Sequence, residues 1–286
     1  LLAAVTGMGA AVLLQSSTAV AVLISNFVSK GSLTTLAGLA IILGADVGSA
    51  IATQLLMIRQ PLLIPLLILF GVVIFQRGEG TNARQIGRIF IGLALILVSL
   101  EMIRGASEPM ITNPSTQAVM GYLGRDLLTA FIIGAVFAWG VHSSVAAVLL
   151  FVTLASQGLL SVAAAGAMIL GANLGGACIA FVLTLAAPIA ARRVIMANLL
   201  LRGGGAILAM SLIAAMPNLL DYLGKTATEQ TINLHLVFNL ALAVLALPVI
   251  GPVNAVLERF MRADTSAIQK LENLSALDPK LIEQPQ

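Results

Sequence analysis

Long apolar stretches separated by short polar interruptions run through almost the whole sequence. Unpaired backbone N–H and C=O groups are costly in lipid, so only helices and closed barrels span a membrane. Barrel strands would give short segments of alternating hydrophobicity, whereas the stretches here are continuous, at Pro61–Phe75, Ile86–Ile103, Val194–Met216 and Ile232–Leu257. The pattern therefore predicts an all-α protein that crosses the membrane several times.

The amino-acid composition supports a membrane protein. Of the 286 residues, 59% are hydrophobic and 9% are charged, and the mean hydropathy is +1.04. A soluble globular domain carries roughly a quarter charged residues, so this chain cannot cover a water-facing surface. Soluble, disordered, coiled-coil and nucleic-acid-binding classes are therefore excluded. The single cysteine, Cys178, lies in an apolar run, which argues against a disulfide framework or a cysteine metal site.

An internal repeat is the most informative feature of the sequence. A shift of 127 residues places Gly7–Pro61 on Gly134–Pro188 without a gap. Chance apolar similarity would not keep small and polar residues in register over that length. The matches include Ser16-Ser17 with Ser143-Ser144, Gly31 with Gly158, and Pro61 with Pro188. Internal duplication of this kind is characteristic of secondary transporters.

Each copy of the repeat begins with two short apolar arms joined by a polar turn. Each arm is shorter than the roughly 20 residues that a membrane span requires. The pattern predicts one re-entrant hairpin per copy, with its turn at mid-membrane. The arms are Leu1–Leu14 and Ala19–Val28 around Gln15-Ser16-Ser17-Thr18, and Leu127–Gly140 and Val145–Ala155 around His142-Ser143-Ser144.

A longer apolar stretch follows each hairpin, and each is interrupted near its centre. The interruptions are Gly44-Ala45-Asp46-Val47-Gly48-Ser49 in the first copy and Gly171–Gly176 in the second. We expect each stretch to form one crossing helix that is unwound at this point. Non-helical backbone at membrane depth is tolerated only where it is buried or lines a cavity. The four polar interruptions are therefore expected to converge on one site.

The number of crossings between the two copies predicts that they are inverted relative to each other. Basic residues test the orientation, since cytoplasmic loops carry an excess of Lys and Arg. The side from which the first hairpin enters collects Lys30, Arg77, Arg84, Arg88, Arg192, Arg193, Arg259, Arg262, Lys270 and Lys280, against Arg59, Arg104, Arg125 and Lys225 on the other side. The first side, which also carries the C-terminus, is predicted to be cytoplasmic.

The repeat divides the chain into three predicted parts. Residues 1–126 hold the first repeat and its linking helices, 127–258 hold the second repeat and the last membrane helices, and 259–286 begin a cytoplasmic extension. Nothing equivalent to Ile86–Ile103 precedes Leu1, so we expect an upstream helix that this sequence does not include.

The two polar turns are the strongest candidates for a binding site. Hydroxyls and amides offer neutral oxygens to a cation and O–H or N–H donors to an anion. Helix termini that meet at the turns add partial charges, since N-termini favour anions and C-termini favour cations. Such a site could hold an oxyanion and Na⁺ together. The alternative is that the small residues only let helices pack closely.

Asp46 and the two histidines are the remaining candidates. Asp46 is the only carboxylate at a predicted break, and Asn173 is its counterpart in the repeat. It could ligate a cation, carry a proton or cap a half-helix. His142 could donate to an anion or titrate, or it could be a satisfied polar group of the bundle. His235 shares a helix face with Asn239, which favours interhelical hydrogen bonding over a metal site.

Enzyme classes find no support in the sequence. There is no P-loop, no cysteine cluster and no credible Ser/His/Asp set at a water-filled site. Gly203-Gly204-Gly205 lies in an apolar helix and favours close packing. Without a nucleotide motif, transport would be driven by an ion gradient.

The paired motifs resemble the type II sodium–phosphate cotransporter family. The resemblance covers roughly Leu1–Leu257 and includes a late His-x-x-Phe-Asn pattern at His235, Phe238 and Asn239. The first turn keeps the family's Gln-Ser-Ser with Thr18 as the following hydroxyl, whereas the second has His142 in place of Gln and Val145 in place of a third hydroxyl. Asp46 stands where the family usually has Asn, and Gly176 stands where a hydroxyl is common.

The resemblance implies a Na⁺-coupled phosphate transporter of the bacterial inner membrane that works by alternating access. Ser16, Ser17, Ser143 and Ser144 would bind phosphate oxygens, aided by Gln15 and His142. The implied Na⁺ ligands are Thr18, Asp46, Ser49, Asn173 and the backbone carbonyls of the breaks. Na⁺ is the coupling ion, no organic cofactor is expected, and the lipid bilayer is the remaining partner, with a homodimer left open. The segment Asn273–Pro279 resembles the entry to the PhoU-like domain that is fused to many bacterial members.

The sequence leaves three alternatives open. The same plan could transport another oxyanion or an organic acid, with proton coupling through Asp46. In the branch with a PhoU-like domain, phosphate efflux is an alternative to uptake. A membrane-bound phosphate sensor would bind the ligand without net flux and would signal through its cytoplasmic extension.

Overall fold

The computed structural model describes residues 1–57 and 62–261, and this part of the chain is built from helices alone. Within these ranges, three short 3₁₀ helices, at Glu108–Met110, Pro217–Leu223 and Leu247–Val249, accompany the α-helices. The α-helices of the described residues are α1 Leu2–Leu14, α2 Ser17–Ser29, α3 Thr35–Leu56, α4 Leu63–Arg77, α5 Thr81–Ser107, α6 Pro114–Arg125, α7 Leu127–Gly140, α8 Ser144–Ser156, α9 Val162–Leu183, α10 Ile189–Ala215, α11 Ala227–Ala246 and α12 Ile250–Phe260.

Several of these helices, alone or together with the 3₁₀ helix and helix that follow, are long and apolar enough to cross a membrane. They are Thr35–Leu56, Thr81–Met110, Val162–Leu183, Ile189–Ala215 and Ala227–Phe260, and α6 with α7 would add a sixth span if the bent pair counts as one. The chain is therefore a multi-pass membrane protein, as the apolar pattern predicts. The residues directly before the second hairpin form the helix α6, which meets α7 at an angle of 106°.

The secondary structure repeats with the same 127-residue offset as the sequence. Helices α2 and α3 fall on α8 and α9 from first residue to last. The two turns also share an unusual backbone, since Gln15 and His142 both have left-handed φ angles, of 52° and 55°. Both predicted hairpins are present as pairs of helices of 13 or 14 residues, too short to span. The inverted orientation of the second copy stays a prediction.

The prediction of unwound helix centres is wrong. Both α3 and α9 run as unbroken 22-residue helices through the two Gly-rich interruptions. The glycines serve close packing, because a methyl group at Gly44 would collide with the carbonyl of Ala4 in α1. The second copy repeats this contact, with Gly171 against the carbonyl of Phe131 in α7. Small residues that let backbones approach are typical of membrane helix interfaces.

The two long repeat helices form the centre of the protein. In both α3 and α9, 72% of the most apolar 18-residue window is buried. Helix α1 packs along α3 and α7 packs along α9, while α10 and α11 contact both central helices. Helices α4 and α5 pack against each other at the periphery. The middle of α3 and α9 is thus the place where side chains from both repeats meet.

Parts of the predicted organisation fall outside the described residues. Of the predicted extension 259–286, residues 262–286 are not described, and neither are residues 58–61 with Arg59 and Pro61. The C-terminal extension and its resemblance to a PhoU-like domain therefore stay predictions, as do the three domain boundaries.

Candidate functional site

The first serine of each Ser-Ser pair caps a helix. The backbone N–H of Ala19 donates to Ser16 Oγ at 3.1 Å, and that of Ala146 donates to Ser143 Oγ at 3.1 Å. A serine at this position accepts a hydrogen bond that the first helical turn would otherwise lack. The left-handed residue before each serine lets the chain reverse between the two arms of the hairpin. Part of the Ser-Ser signal is therefore structural.

The second serine of each pair is buried beside a residue of α10. Ser17 Oγ accepts from Nη1 of Arg202 at 3.4 Å, and only 2% of Ser17 is exposed. Ser144 lies against Gly176, where an added Cβ would be 3.2 Å from Ser144 Oγ and 3.7 Å from Nη1 of Arg202. Ser17 of the first repeat thus contacts this guanidinium group, and Ser144 of the second repeat lies near it, on the other side of Gly176.

Helices α2 and α8 begin at these two buried serines. The first N–H groups of a helix have no partner within the helix, and the dipole adds a partial positive charge there. An anion at such a terminus is stabilised by both effects. Serine hydroxyls, free N–H groups and a guanidinium together form a set of donors that suits an oxyanion.

A cavity of about 490 Å³ connects residues of the two turns. Ser16, Thr18 and Asn26 of the first hairpin line it together with His142 of the second. Gln15 is not part of this group, because it lines a different cavity of about 150 Å³ with apolar residues of α1, α3, α4 and α5. The structure therefore brings Ser16, Thr18 and His142 together and leaves Gln15 apart from them.

Asp46 of α3 forms a buried ion pair with Arg202 of α10. Oδ1 of Asp46 lies 2.6 Å from Nη1 of Arg202, and the two side chains are 2% and 3% exposed. Nη2 and Nε of the same guanidinium donate to Oδ1 of Asn173 at 3.0 and 3.3 Å. Arg202 is thus held by the repeat-equivalent residues Asp46 and Asn173 and reaches Ser17 as well.

Two side chains of α11 complete the polar network. Nδ2 of Asn239 donates to Oδ1 of Asn173 at 3.2 Å and to the carbonyl of His235 at 2.8 Å. Nδ1 of His235 lies 3.3 Å from the amide nitrogens of both Asn173 and Asn239. The expectation that His235 and Asn239 hydrogen-bond between helices is confirmed.

Some buried acceptors at this site have no hydrogen-bond donor. They include Oδ2 of Asp46 and Oδ1 of Asn239, together with Oδ1 of Asn198, which lies one turn before Arg202 on α10. A buried acceptor without a donor is unfavourable unless something else satisfies it. Oxygen atoms of this kind are the ligands that a hard cation prefers.

The predicted Na⁺ ligands occupy separate positions. Asp46 and Ser49 are buried on the same face of α3, and Asn173 is buried on α9. Thr18 lines the cavity between the turns. The backbone carbonyls of the predicted breaks are not available as ligands, because unbroken helices engage them in their own hydrogen bonds. That part of the expectation is wrong, and side-chain oxygens are left as the candidates.

Sequence reasoning missed Arg202 as a member of the site. The signal was present, because Arg202 is a lone charge within the apolar stretch 194–216, and a charged residue inside a membrane helix indicates function by default. Asp46 was the matching opposite charge in another membrane helix. Two such charges are expected to pair, but the spacing along the chain does not show it.

Comparison with known proteins places the chain in a family. The model of the family described as Na⁺/Pi-cotransporter matches residues 1–105 and 109–269. Over 281 residues and 97% of this chain, proteins named "Putative inorganic phosphate export protein YjbB" are 35% identical in Escherichia coli (strain K12) and 36% identical in Salmonella typhimurium (strain LT2). The uncharacterized protein YqeW of Bacillus subtilis (strain 168) is 25% identical over 82% of this chain and 76% of its own length.

The coverage of these matches is partial in one respect. The chain spans about half the length of the YjbB proteins, 52%. No solved structure matches it. The family model nevertheless covers nearly the whole chain, including both Ser-Ser turns and the helices that carry Asp46, Asn173 and Arg202. The chain belongs to the Na⁺/Pi-cotransporter family.

Proposed function

We propose that the protein transports inorganic phosphate across the bacterial inner membrane, coupled to Na⁺, by alternating access. The observation that carries the proposal is that two repeat-equivalent helix N-termini lie near one buried arginine. Ser17 contacts Arg202 directly, and Ser144 lies across Gly176 from it. Membership of the Na⁺/Pi-cotransporter family and the name of the YjbB proteins support phosphate as the substrate.

Phosphate would bind between the two hairpin turns. Its oxygens would accept hydrogen bonds from Ser16, Ser17, Ser143 and Ser144 and from the first N–H groups of α2 and α8. His142 faces the same cavity and would donate a further hydrogen bond. Gln15 belongs to the same turn and would assist only after a change of its side-chain position, since it lines another cavity here.

Na⁺ would bind next to the anion through side-chain oxygens. Asp46, Ser49, Asn173 and Thr18 supply a carboxylate, an amide and two hydroxyls, which are ligands that suit a hard cation. A cation and an anion that bind side by side in a buried site neutralise each other. Their affinities are then linked, which is the physical basis of cotransport.

The direction of transport depends on the orientation of the protein in the membrane and on the ion gradient. The excess of basic residues supports a cytoplasmic C-terminus. The name of the YjbB proteins favours export, whereas an inward Na⁺ gradient would drive uptake of a cotransported anion. We therefore propose Na⁺-linked phosphate movement and leave its physiological direction to a flux measurement.

Flux in proteoliposomes tests this proposal. The protein should move ³²P-phosphate in both directions, and replacement of Na⁺ by choline should stop the movement. Flux that continues in choline but responds to a proton gradient would indicate proton coupling. Inhibition by sulfate, to a greater degree than by excess phosphate, would indicate another oxyanion. Phosphate binding without any flux would indicate a sensor and would contradict the proposal.

The second serines are the best residues for a site variant. Ser17→Ala combined with Ser144→Ala keeps both capping serines and removes two buried hydroxyls. A hydrogen bond to a charged ligand contributes about 1.5–3 kcal/mol, so phosphate affinity should fall by at least about a hundredfold. Ser25→Ala is the matched control, because Ser25 is equally buried on α2 but bonds only to the carbonyl of Val22. Normal flux by the double variant would remove the turns from the site.

A further inference from the structure

We propose that the Arg202–Asp46 ion pair opens during transport, so that Arg202 binds phosphate and Asp46 binds Na⁺ in its place. This inference rests on the proposed function and deepens it, because it assigns the coupling of the two ions to a specific pair of side chains. Arg202 becomes the residue that selects an anion, and Asp46 becomes both its internal competitor and the cation ligand.

The exchange follows from the balance of charge in a buried site. Arg202 and Asp46 neutralise each other across 2.6 Å, and both side chains are almost completely buried. An anion that bound Arg202 alone would leave the carboxylate without a partner, and a cation that bound Asp46 alone would leave the guanidinium without one. A buried charge without a partner is strongly unfavourable. When both ions bind, every charge regains a partner.

The geometry around Arg202 permits an exchange on one side only. Nε and Nη2 donate to Asn173, which fixes the plane of the guanidinium. Nη1 contacts Asp46 and also faces Ser17, so the nitrogen that holds the carboxylate borders the predicted phosphate site. Gly176 brings Ser144 close to Nη1, because an added Cβ there would lie only 3.2 Å from Ser144 Oγ and 3.7 Å from Nη1. Once the two hairpins move apart, a phosphate oxygen would replace the carboxylate at Nη1 while Asn173 holds the rest of the group.

The carboxylate of Asp46 has one oxygen available for a cation. Oδ1 accepts from Arg202, whereas Oδ2 is buried and accepts no hydrogen bond. Ser49 follows on the same face of α3 and is also buried. A cation that binds Oδ2 would withdraw charge from the ion pair and weaken the hold of Asp46 on Arg202. Cation binding thus prepares Arg202 for the anion.

The two repeats differ at this position, so only one carboxylate takes part in the exchange. Asn173, the counterpart of Asp46, is neutral and also binds Arg202. The site therefore contains one positive and one negative group, and the binding of one Na⁺ with one monovalent phosphate, H2PO4⁻, keeps it neutral. By linkage, Na⁺ should raise phosphate affinity by the same factor as phosphate raises Na⁺ affinity.

Equilibrium binding by the whole purified protein in nanodiscs tests the exchange. The affinity for ³²P-phosphate is measured in NaCl and in choline chloride. In the unmodified protein Na⁺ should raise the affinity by about tenfold or more, within the range of ordinary coupling. In Asp46→Asn the factor should fall below about twofold, because Arg202 is no longer neutralised and binds the anion without Na⁺. Glu101→Gln, at an exposed site on α5, should keep the full factor.

A second variant separates the exchange from a purely structural ion pair. Asp46→Asn combined with Arg202→Gln removes both charges and leaves none without a partner, so the protein should fold while phosphate binding is lost. If Asp46→Asn does not fold, the double variant decides alone. Na⁺-stimulated phosphate binding by the double variant, or an undiminished Na⁺ factor in Asp46→Asn, would overturn the exchange and leave phosphate transport intact. Failure of the unmodified protein to bind phosphate in either salt would overturn both proposals.

Discussion

Asp46 and Asn173 lie 127 positions apart, occupy equivalent places in α3 and α9, and bind the same guanidinium group. Asp46 accepts a hydrogen bond from Nη1 of Arg202, while Asn173 accepts from Nη2 and Nε. The duplication thus produced two equivalent positions, of which one carries a charge and the other does not. The single arginine between them is contributed by α10, which lies outside the paired helices.

The ion pair should have a distinctive signature in protein stability. Arg202→Gln leaves the Asp46 carboxylate buried without its cation, and breaking a buried pair on one side destabilises a protein by about 3–5 kcal/mol. Thermal unfolding of the purified protein should show a large loss for this variant. The double variant Asp46→Asn with Arg202→Gln should recover much of that loss, because no charge is left without a partner.

An exposed arginine provides the control for that measurement. Arg84→Gln removes the same charge from the exposed face of α5, where surface substitutions usually change stability by less than about 0.5 kcal/mol. Additive effects of the two single changes at Asp46 and Arg202 would contradict a direct interaction between them.

The contact between α1 and α3 can be tested with two glycines of one helix. Gly7 packs so closely on the carbonyl of Ile41 that a methyl group would collide with it, whereas a methyl group at Gly9 would meet open space. Gly7→Ala should destabilise the protein by about 1–3 kcal/mol through overpacking. Gly9→Ala should be neutral or slightly stabilising, because Ala favours a helix over Gly. Equal melting temperatures for the two variants would contradict the packing of α1 on α3.

The sequence predicted the hairpins well because their signals are local and duplicated. A short apolar arm, a polar turn and a second short arm recur at one offset, and the capping role of Ser16 and Ser143 depends only on their own turns. The prediction of helix breaks was wrong for a physical reason. Glycine permits both an unwound backbone and a close helix contact, and the sequence does not show that α1 lies against Gly44.

The ion pair lay beyond sequence reasoning for a different reason. Asp46 and Arg202 are separated by 156 positions, and their partnership depends on how α3 and α10 pack. Each charge alone indicates a functional or capping role. Only the packed structure shows that Arg202 also reaches Ser17 and Asn173, and that Gln15 lies away from the cavity shared by the two turns.

A second carboxylate at the neutral position should shift the balance of the site between its two ions. Asn173→Asp would place two carboxylates around Arg202, so the buried groups would carry a net negative charge. Na⁺ affinity should rise and phosphate affinity should fall, each by about tenfold or more, because charges a few ångströms apart in a site of low effective dielectric interact by several kcal/mol. Equilibrium binding of ²²Na⁺ and ³²P-phosphate by the purified protein measures both changes.

Gln117→Glu is the control, because it adds the same charge on the exposed face of α6, where solvent and salt screen it, and it should leave both affinities unchanged. Tighter phosphate binding by Asn173→Asp would mean that Arg202 does not face the anion, since an added carboxylate beside the group that holds phosphate can only compete with it.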